Sequence, residues 1–195
     1  MIFWIKQQIY KWVNKKVAKK SSHIITISNF VKNDLIQFTG VNPEKITVTL
    51  ESADELPKGN EPVDELIGKK FIMYIGRPTP HKNLRRLIDA FALLQKKYPD
   101  LTLALAGKKD SNYARHETYV NEHGIKNVVF TGFISDEQLR WMYENTAVYC
   151  FPSLSEGFGL PGLEAMLHGA PVASSTATCL PETHGDAARY FDPFS

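Results

Sequence analysis

From residue 71 onwards, short apolar segments alternate with longer amphipathic ones, and this alternation constrains the fold more than any other feature of the sequence. Five apolar segments predict strands, at Phe71–Ile75, Leu101–Ala106, Val128–Thr131, Ala147–Phe151 and Pro171–Ser174. Four segments between them predict helices, at Leu84–Lys97, Ser111–His123, Ser135–Asn145 and Leu160–His168. Nearly continuous apolar strands are typical of a parallel sheet that helices cover on both faces. The sequence therefore predicts an open, doubly wound α/β domain.

The N-terminal part of the chain follows a different pattern. His23–Ser28 and Ile46–Leu50 predict two short strands, and Asn29–Phe38 predicts a helix whose N-cap is Ser28. A polar stretch with prolines and glycines comes next, which indicates a linker. The predicted organisation has three parts: residues 1–56, a linker at 57–70 and the α/β domain at 71–195.

Residues 1–20 carry six lysines and no acidic residue. One stripe of the predicted helix collects apolar side chains: Ile2, Ile5, Ile9, Trp12 and Val13. Such a stripe either packs on other protein or lies on an anionic membrane surface, where lysines meet lipid phosphates. The pattern leaves both interpretations open. A signal peptide is not expected, because Lys6 interrupts the apolar run.

Charge and cysteine content exclude several classes of protein. The chain has a net charge of +2. Because residues 1–20 carry six lysines and no acidic residue, the remaining residues have a negative net charge. Nucleic acid is therefore not an expected partner. Cys150 and Cys179 stand in apolar segments without metal-ligand spacing, which favours a reducing compartment. We expect a cytoplasmic protein, at the inner face of the cell membrane if residues 1–20 bind lipid.

The loop after Phe71–Ile75 contains two cations in a stiffened setting. In an open α/β sheet, ligands bind beyond the carboxyl ends of the strands. Gly76 allows close approach of a ligand to the backbone, and prolines stiffen the segment that carries Arg77 and Lys82. Two cations ahead of a helix N-terminus suit a diphosphate. They are equally compatible with ordinary solvated surface charges, an alternative that this loop alone leaves open.

The loop after Ala147–Phe151 combines glycines with carboxylates. It contains the run Glu156-Gly157-Phe158-Gly159-Leu160, followed by Pro161, a residue suited to the first turn of a helix. The amides of that turn favour an anion, and Glu164 leans back towards the same opening. A carboxylate repels phosphate but accepts two hydrogen bonds from a sugar diol. Cations, amides and carboxylates together indicate a nucleotide sugar. Taken singly, Glu156 could be a solvated acid and Glu164 a helix-dipole cap.

These motifs resemble a known family. The segments that carry the resemblance are GRPTPHKNLRRLIDAF, LALAGKKD, VVFTGFISDEQL, VYCFPSLSEGFGLPGLEAMLHGAPVASS and LPETHGDAARYFDP. Together they are similar to the nucleotide-sugar domain of retaining GT-B glycosyltransferases of family 4, the group 1 glycosyl transferases, over residues 70–195. Residues 21–56 resemble the end of that family's N-terminal acceptor domain. The resemblance implies the Rossmann-like C-terminal half of a GT-B fold behind a remnant of the acceptor domain.

The resemblance also implies an activity. A hexosyl group, with mannosyl as one candidate, would pass from a GDP- or UDP-linked donor to a glycan or lipid-linked acceptor, with retained configuration and without a metal or other cofactor. Arg77 and Lys82 would neutralise the leaving diphosphate and Glu156 would contact the donor sugar, which makes these three the candidate catalytic residues. Glu164 would hold the ribose. The other candidate binding residues are Gly76, Gly157, Phe158, Gly159 and Leu160, with Phe133 and Ile134 beside the base.

Three other functions stay open. The glycine-rich loop expected of a full acceptor domain is not found, so the chain could be a non-catalytic nucleotide-sugar-binding module or subunit that needs a separate acceptor-domain partner. Without that domain, the isolated chain is expected to transfer poorly. A glycosidase would use Glu156 and Glu164 as acid and base, but it would not need Arg77 and Lys82. A membrane-surface protein would depend on residues 1–20.

Overall fold

The computed structural model describes residues 2–59 and 61–195 and divides into two compact units between Glu51 and Ser52. The first unit contains α1 (Ile2–Lys20), β1 (Ile24–Thr26), α2 (Asn29–Thr39) and β2 (Ile46–Val48), with β1 and β2 parallel. As predicted, Ser28 is the N-cap of α2 and accepts a hydrogen bond from the Val31 amide at 3.2 Å. Ala18, Val41 and Ile46 form the small core of this unit.

The apolar stripe of α1 is exposed. Trp12 is 60% exposed and Ile9 is 56% exposed, and several other large apolar residues of the helix are open as well: Phe3, Trp4, Ile5, Tyr10, Val13 and Val17. The side chain of Ile2, which the sequence analysis places on the stripe, lies outside the described part of the structure. Among residues 3–20 of α1, the buried residue is instead Ala18, which lies off the predicted stripe. Among residues 2–59 and 61–195, no helix has the length and apolar character needed to cross a bilayer.

The second unit contains a six-stranded sheet in which every neighbouring pair is parallel, in the order β5-β4-β3-β6-β7-β8. Its elements are β3 (Phe71–Ile75), α3 (Leu84–Leu94), β4 (Thr102–Ala106), α4 (Ser111–Glu122), β5 (Val128–Gly132), α5 (Asp136–Asn145), β6 (Val148–Phe151), α6 (Leu160–Leu167), β7 (Val172–Ser175), α7 (Leu180–His184) and β8 (Ala188–Phe191). The predicted doubly wound α/β fold is confirmed. No pattern described in the sequence predicts α7 and β8.

Helices cover both faces of this sheet, which explains its apolar strands. Phe71 and Met73 of β3 point into a core that includes residues of α5 and α6, whereas Ile72 and Tyr74 point into a second core with residues of α3 and α4. All four side chains are less than 10% exposed. Because successive side chains of a strand alternate between faces, a strand buried on both faces has no polar positions in its centre.

The segment predicted as a linker, at 57–70, differs from that expectation. Val63 and Leu66 are buried in the core of the second unit. Just ahead of them, the Leu56 amide donates to Nε2 of His168 at 3.1 Å, and Nη1 of Arg140 donates to the Leu56 carbonyl at 2.8 Å. Proline and glycine content predicted a linker, but two of its apolar side chains are buried in the core, and the segment belongs to the second unit.

The chain reverses its direction of travel across the sheet between β3 and β6. From β3 it proceeds to β4 and β5 on one side, and after β5 it returns to β6, on the other side of β3. The loops that follow β3 and β6 lead into α3 and α6, which pack on opposite faces of the sheet. The crevice at these two strand ends is the place where open α/β sheets bind ligands. These are the two loops that the sequence analysis singled out.

The backbones of β3 and β4 approach closely at this edge, which generates a prediction. A Cβ on Gly107 would lie 2.5 Å from the Gly76 carbonyl oxygen, and Gly107 has a φ of +148°. Gly107→Ala is expected to lower the free energy of unfolding by about 3 kcal/mol, through clash and backbone strain. Gly124 is the control, because its φ is +61° with open space around it. Its replacement by alanine should cost about 1 kcal/mol in the same urea titration. Equal losses at the two positions would contradict the close approach.

Candidate functional site

The two loops of the crevice are joined by an ion pair. Lys82 Nζ donates to Glu156 Oε1 at 2.6 Å, and the two side chains are 22% and 12% exposed. The backbones of the loops also meet, since the Leu154 amide donates to the His81 carbonyl at 2.7 Å. Two predicted site residues, 74 positions apart in sequence, are thus brought into direct contact.

The loop after β7 holds the backbone of Glu156. The Glu156 amide donates to Oγ1 of Thr178 at 3.0 Å, and the Glu156 carbonyl accepts from Sγ of Cys179 at 3.3 Å. Cys179 is buried, which raises the pKa of its thiol to about 11. A neutral thiol is therefore a hydrogen-bond donor here. Three loops, after β3, β6 and β7, fix the position of the carboxylate at 156.

Arg77, on the same loop as Lys82, contacts the segment between β4 and α4. Its Nε donates to Oδ2 of Asp110 at 3.2 Å, and its side chain is 76% exposed. Asp110 is the N-cap of α4 and accepts from the amides of Tyr113 and Asn112. The hydrogen bond from the Tyr113 amide, together with the other donors including Arg77, lowers the pKa of Asp110. The sequence analysis did not identify Asp110 as the partner of Arg77.

The glycine run after Glu156 leads into α6 with an unusual backbone. Gly159 precedes the helix with a φ of +100°, and a Cβ there would lie 2.7 Å from Cδ2 of Leu180. Phe158 is buried, so this residue offers the crevice only its backbone, whereas Gly157 and Leu160 are half-buried. The backbone of this turn is therefore shaped by the requirement for glycine at position 159.

Two residues of α7 that the sequence analysis missed contact this turn. Thr183 Oγ1 donates to the Phe158 carbonyl at 2.7 Å, and His184 Nε2 lies 3.1 Å from the Gly159 carbonyl oxygen. The other ring nitrogen of His184 lies 3.2 Å from Oγ of Ser174, and burial of the ring lowers its pKa. The only sequence signal for this contact is a polar pair inside a short segment between Pro181 and Gly185.

Glu164, in the first half of α6, has a different environment from that of Glu156. The hydroxyl of the buried Tyr143 lies within donating distance of two acceptors, the Pro161 carbonyl at 3.3 Å and Glu164 Oε2 at 3.4 Å. Burial raises the pKa of Glu164 and the charge of Asp136 raises it further, although the Tyr143 hydroxyl acts in the opposite direction. Asp136 begins α5, so Glu164 faces the start of that helix. The two glutamates therefore have separate partners on separate elements.

The two residues predicted to lie beside a base precede α5. Phe133 is 84% exposed, whereas Ile134 is half-buried and packs against the core that contains Tyr143. Both lie in the loop between β5 and α5, just ahead of Asp136, whose charge raises the pKa of Glu164. A separate cavity of about 600 Å³ lies at the opposite edge of the sheet, where Lys70, Lys97 and Leu101 line it, and it contains none of the predicted site residues.

The environment of Glu164 predicts a dependence of stability on pH. The pKa of Glu164 is higher in the folded chain than in the unfolded chain, where it is about 4.3. The folded state therefore disfavours the ionised carboxylate, and the free energy of unfolding falls as the pH rises above about 4.3. Glu164→Gln removes that cost, and its carbonyl still accepts from Tyr143. The urea midpoint of the variant should exceed that of the wild type at neutral pH, and the two should converge near about pH 4.

The exposed Glu122, at the end of α4, is the matched control for this experiment. Glu122→Gln should leave the midpoint unchanged at both pH values. A wild-type protein more stable than Glu164→Gln at neutral pH would contradict the raised pKa.

Comparison with known proteins identifies the family. The family described as "Glycosyl transferases group 1" matches residues 59–191, more than half of the chain. O-antigen chain mannosyltransferase B from Escherichia coli is 32% identical over 185 residues, which cover 87% of this chain and 47% of that protein. MMP alpha-(1->4)-mannosyltransferase from Mycolicibacterium hassiacum is 31% identical over 200 residues, with 98% and 48% covered. The chain thus spans about half the length of these relatives.

Solved structures share the fold. HepE from Anabaena, in complex with UDP and glucose, aligns with a TM-score of 0.79 at 22% identity over 95% of this chain and 54% of that one. Sucrose-phosphate synthase from Thermosynechococcus elongatus aligns with a TM-score of 0.81 at 23% identity, covering 96% and 49%. The six-stranded parallel domain therefore has the Rossmann-like fold of GT-B proteins, and the chain belongs to the glycosyl transferases group 1 family.

Proposed function

We propose that the chain is the donor-binding part of a glycosyltransferase that transfers a hexosyl group, with retention of configuration, from a nucleoside diphosphate sugar to a glycan or lipid-linked acceptor. The observation that carries the proposal is the Lys82–Glu156 ion pair across the crevice, beside the glycine turn that opens α6. The names of the relatives support mannose as the sugar. HepE was solved with UDP, which supports a nucleoside diphosphate as the carrier.

In this proposal the ion pair separates when donor binds. Lys82 exchanges a carboxylate oxygen for a diphosphate oxygen, and the released Glu156 accepts hydrogen bonds from hydroxyls of the donor sugar. Both charges keep a partner, so neither is left uncompensated in a half-buried setting, which would be costly. Arg77 supplies a second cation from its exposed position beside Asp110. Together, Lys82 and Arg77 stabilise the negative charge that develops on the leaving diphosphate, and the proposal assigns no step to a metal ion.

The ribose and the base of the nucleotide are assigned to Glu164 of α6 and to the loop ahead of α5. Glu164 accepts hydrogen bonds from the ribose diol, and the loop that contains Phe133 and Ile134 lies against the base. The half-buried position of Glu164 supports this role, because a carboxylate with a desolvation penalty gains more from two hydroxyl donors than an exposed one.

We propose further that the acceptor site lies mainly outside this sequence. The relatives are about twice as long as the matched region, and water exclusion in two-domain transferases requires closure over the donor. The purified chain should bind donor but turn over slowly. The alternative is a non-catalytic subunit, and activity restored by a separate acceptor-domain protein would favour it over a self-sufficient enzyme.

Binding of nucleotides to the purified chain tests the donor site. GDP or UDP is expected to raise the melting temperature, because a ligand of the folded state stabilises it, and comparison with ADP reports the base preference. Lys82→Met should raise the dissociation constant measured by calorimetry about tenfold or more, which corresponds to the loss of one charged hydrogen bond. Arg77→Met should raise it less, because Arg77 is largely exposed.

Lys97→Met provides the control for loss of a positive charge, since Lys97 lines the cavity at the opposite edge of the sheet. It should bind nucleotide like the wild type. Unchanged affinity in both Lys82→Met and Arg77→Met would exclude these two residues as the diphosphate site.

We propose membrane contact through α1 as a second, separate property. The exposed Trp4 and Trp12, with the lysines around them, support binding to anionic lipid. The chain should sediment with phosphatidylglycerol vesicles and not with phosphatidylcholine vesicles. A Trp4→Ser/Trp12→Ser variant should lose roughly tenfold in affinity, whereas Phe194→Ser, which removes an equally exposed aromatic ring elsewhere, should not. Equal sedimentation of both variants would contradict the proposal.

A further inference from the structure

Two consecutive residues of α7 hold two consecutive carbonyl groups of the glycine turn. The Thr183 hydroxyl donates to the Phe158 carbonyl at 2.7 Å, and the His184 ring meets the Gly159 carbonyl at 3.1 Å. In an ordinary extended chain, successive carbonyls point to opposite sides. Here the φ of +100° at Gly159 allows both carbonyls to face the same helix. α7 therefore holds the turn at two adjacent peptides, and the Gly162 amide of α6 also donates to the Gly159 carbonyl at 3.0 Å.

This arrangement determines where the amides point. In a trans peptide the N–H group lies opposite the carbonyl. The amides of Gly159 and Leu160 belong to the two peptides whose carbonyls face α7, so both point away from α7. Successive amides on one side form a concavity that binds anions, and the dipole of α6 adds partial positive charge. Pro161 has no N–H and the Gly162 amide donates to the Gly159 carbonyl at 3.0 Å, so these two amides are the donors that the start of α6 can offer.

The His184 ring is fixed by its surroundings. The Gly159 carbonyl can only accept, so Nε2 carries the proton, and in the neutral ring Nδ1 accepts from the Ser174 hydroxyl. The ring lies directly against α6, because a Cβ on Gly162 would overlap its Cε1 and Nε2 atoms. Burial favours the neutral form. The imidazole thus fills the space of the missing side chain at 162 and has a single orientation.

We propose that Thr183 and His184 are positioning residues for the donor diphosphate: by holding the carbonyls of Phe158 and Gly159, they aim the amides of Gly159 and Leu160 at the phosphate oxygens. Neither side chain touches the ligand. The inference rests on the proposed function and adds to it the residues that orient the backbone donors.

Four variants of the full chain test the inference, with GDP and UDP as probes. Thr183→Val and His184→Leu remove the donors and keep approximate volume, whereas Thr183→Ser and His184→Gln keep a donor. The first two should weaken nucleoside diphosphate binding by roughly tenfold to a hundredfold, the value of hydrogen bonds to a charged group. The second two should restore most of it. Affinities for guanosine and uridine, measured by ligand-observed NMR, should be unchanged.

The control variants remove the same groups elsewhere. Thr118 donates to a carbonyl on the exposed side of α4, and His123 contacts the Tyr119 carbonyl at the end of that helix. Thr118→Val and His123→Leu should bind GDP and UDP like the wild type. The melting temperature of every variant shows whether it is folded.

A double-mutant cycle isolates the position of the ring. Gly162→Ala should displace the His184 imidazole and weaken diphosphate binding as His184→Leu does. In a His184→Ala background the added methyl group meets no ring, so the same substitution should have no further effect. Additive effects of the two substitutions would overturn the inferred contact.

The outcomes separate the two proposals. A wild-type chain that binds neither GDP nor UDP overturns the proposed function, and the present inference with it. A wild-type chain that binds, with unchanged diphosphate affinity in folded Thr183→Val and His184→Leu, overturns the positioning role alone. If the variants lost affinity equally for the nucleosides and for the nucleoside diphosphates, the positioning role would also be overturned, because such a loss would indicate a general structural role.

Discussion

The parallel arrangement of the six-stranded sheet is the constraint on which the rest of the second unit depends. Parallel neighbours cannot be joined by tight turns, so each connection crosses a face of the sheet and carries a helix. All loops that follow strands therefore open at one edge. This places the loops after β3, β4, β5, β6 and β7 around one crevice, although the residues they carry are far apart in sequence. The site is a consequence of strand direction.

Within that crevice, charges are compensated before any ligand arrives. Lys82 pairs with Glu156, and Arg77 pairs with Asp110. Both side chains of the first pair are mostly buried, whereas in the second pair Arg77 is 76% exposed and Asp110 is 24% exposed. Loss of Lys82 would leave the charge of Glu156 uncompensated in a desolvated setting, whereas after loss of Arg77 the Asp110 carboxylate still accepts hydrogen bonds from two backbone amides. The two pairs thus balance their own charges, and in the proposed function donor binding exchanges these partners instead of supplying the first ones.

Local patterns predict much of this structure. The apolar run of β3 gives its bounds, and Ser28 is the N-cap of α2 as its position indicates. The convergence of Lys82 with Glu156 follows from the rule for carboxyl ends of parallel strands. In each case the signal lies within a few residues or in strand direction.

The remaining features depend on contacts that no local pattern carries. The five-residue helix α7 is too short to show a periodicity, and it is stabilised by the side chains it places on the glycine turn. Val63 and Leu66 are isolated apolar residues in a polar stretch, and only the shape of the core shows that they are buried. Asp110 has the sequence of an N-cap, and its second role beside Arg77 depends on the distance between two loops.

The contact of Gly162 with the His184 ring has an evolutionary consequence. The two positions share one volume, which a single side chain can fill. A natural sequence that gains a methyl or larger group at 162 has to lose the imidazole at 184, and one that shrinks 184 acquires a void that a larger residue at 162 can occupy. A substitution at one of the two positions thus changes which residues are tolerated at the other. The two positions are therefore expected to change together during evolution.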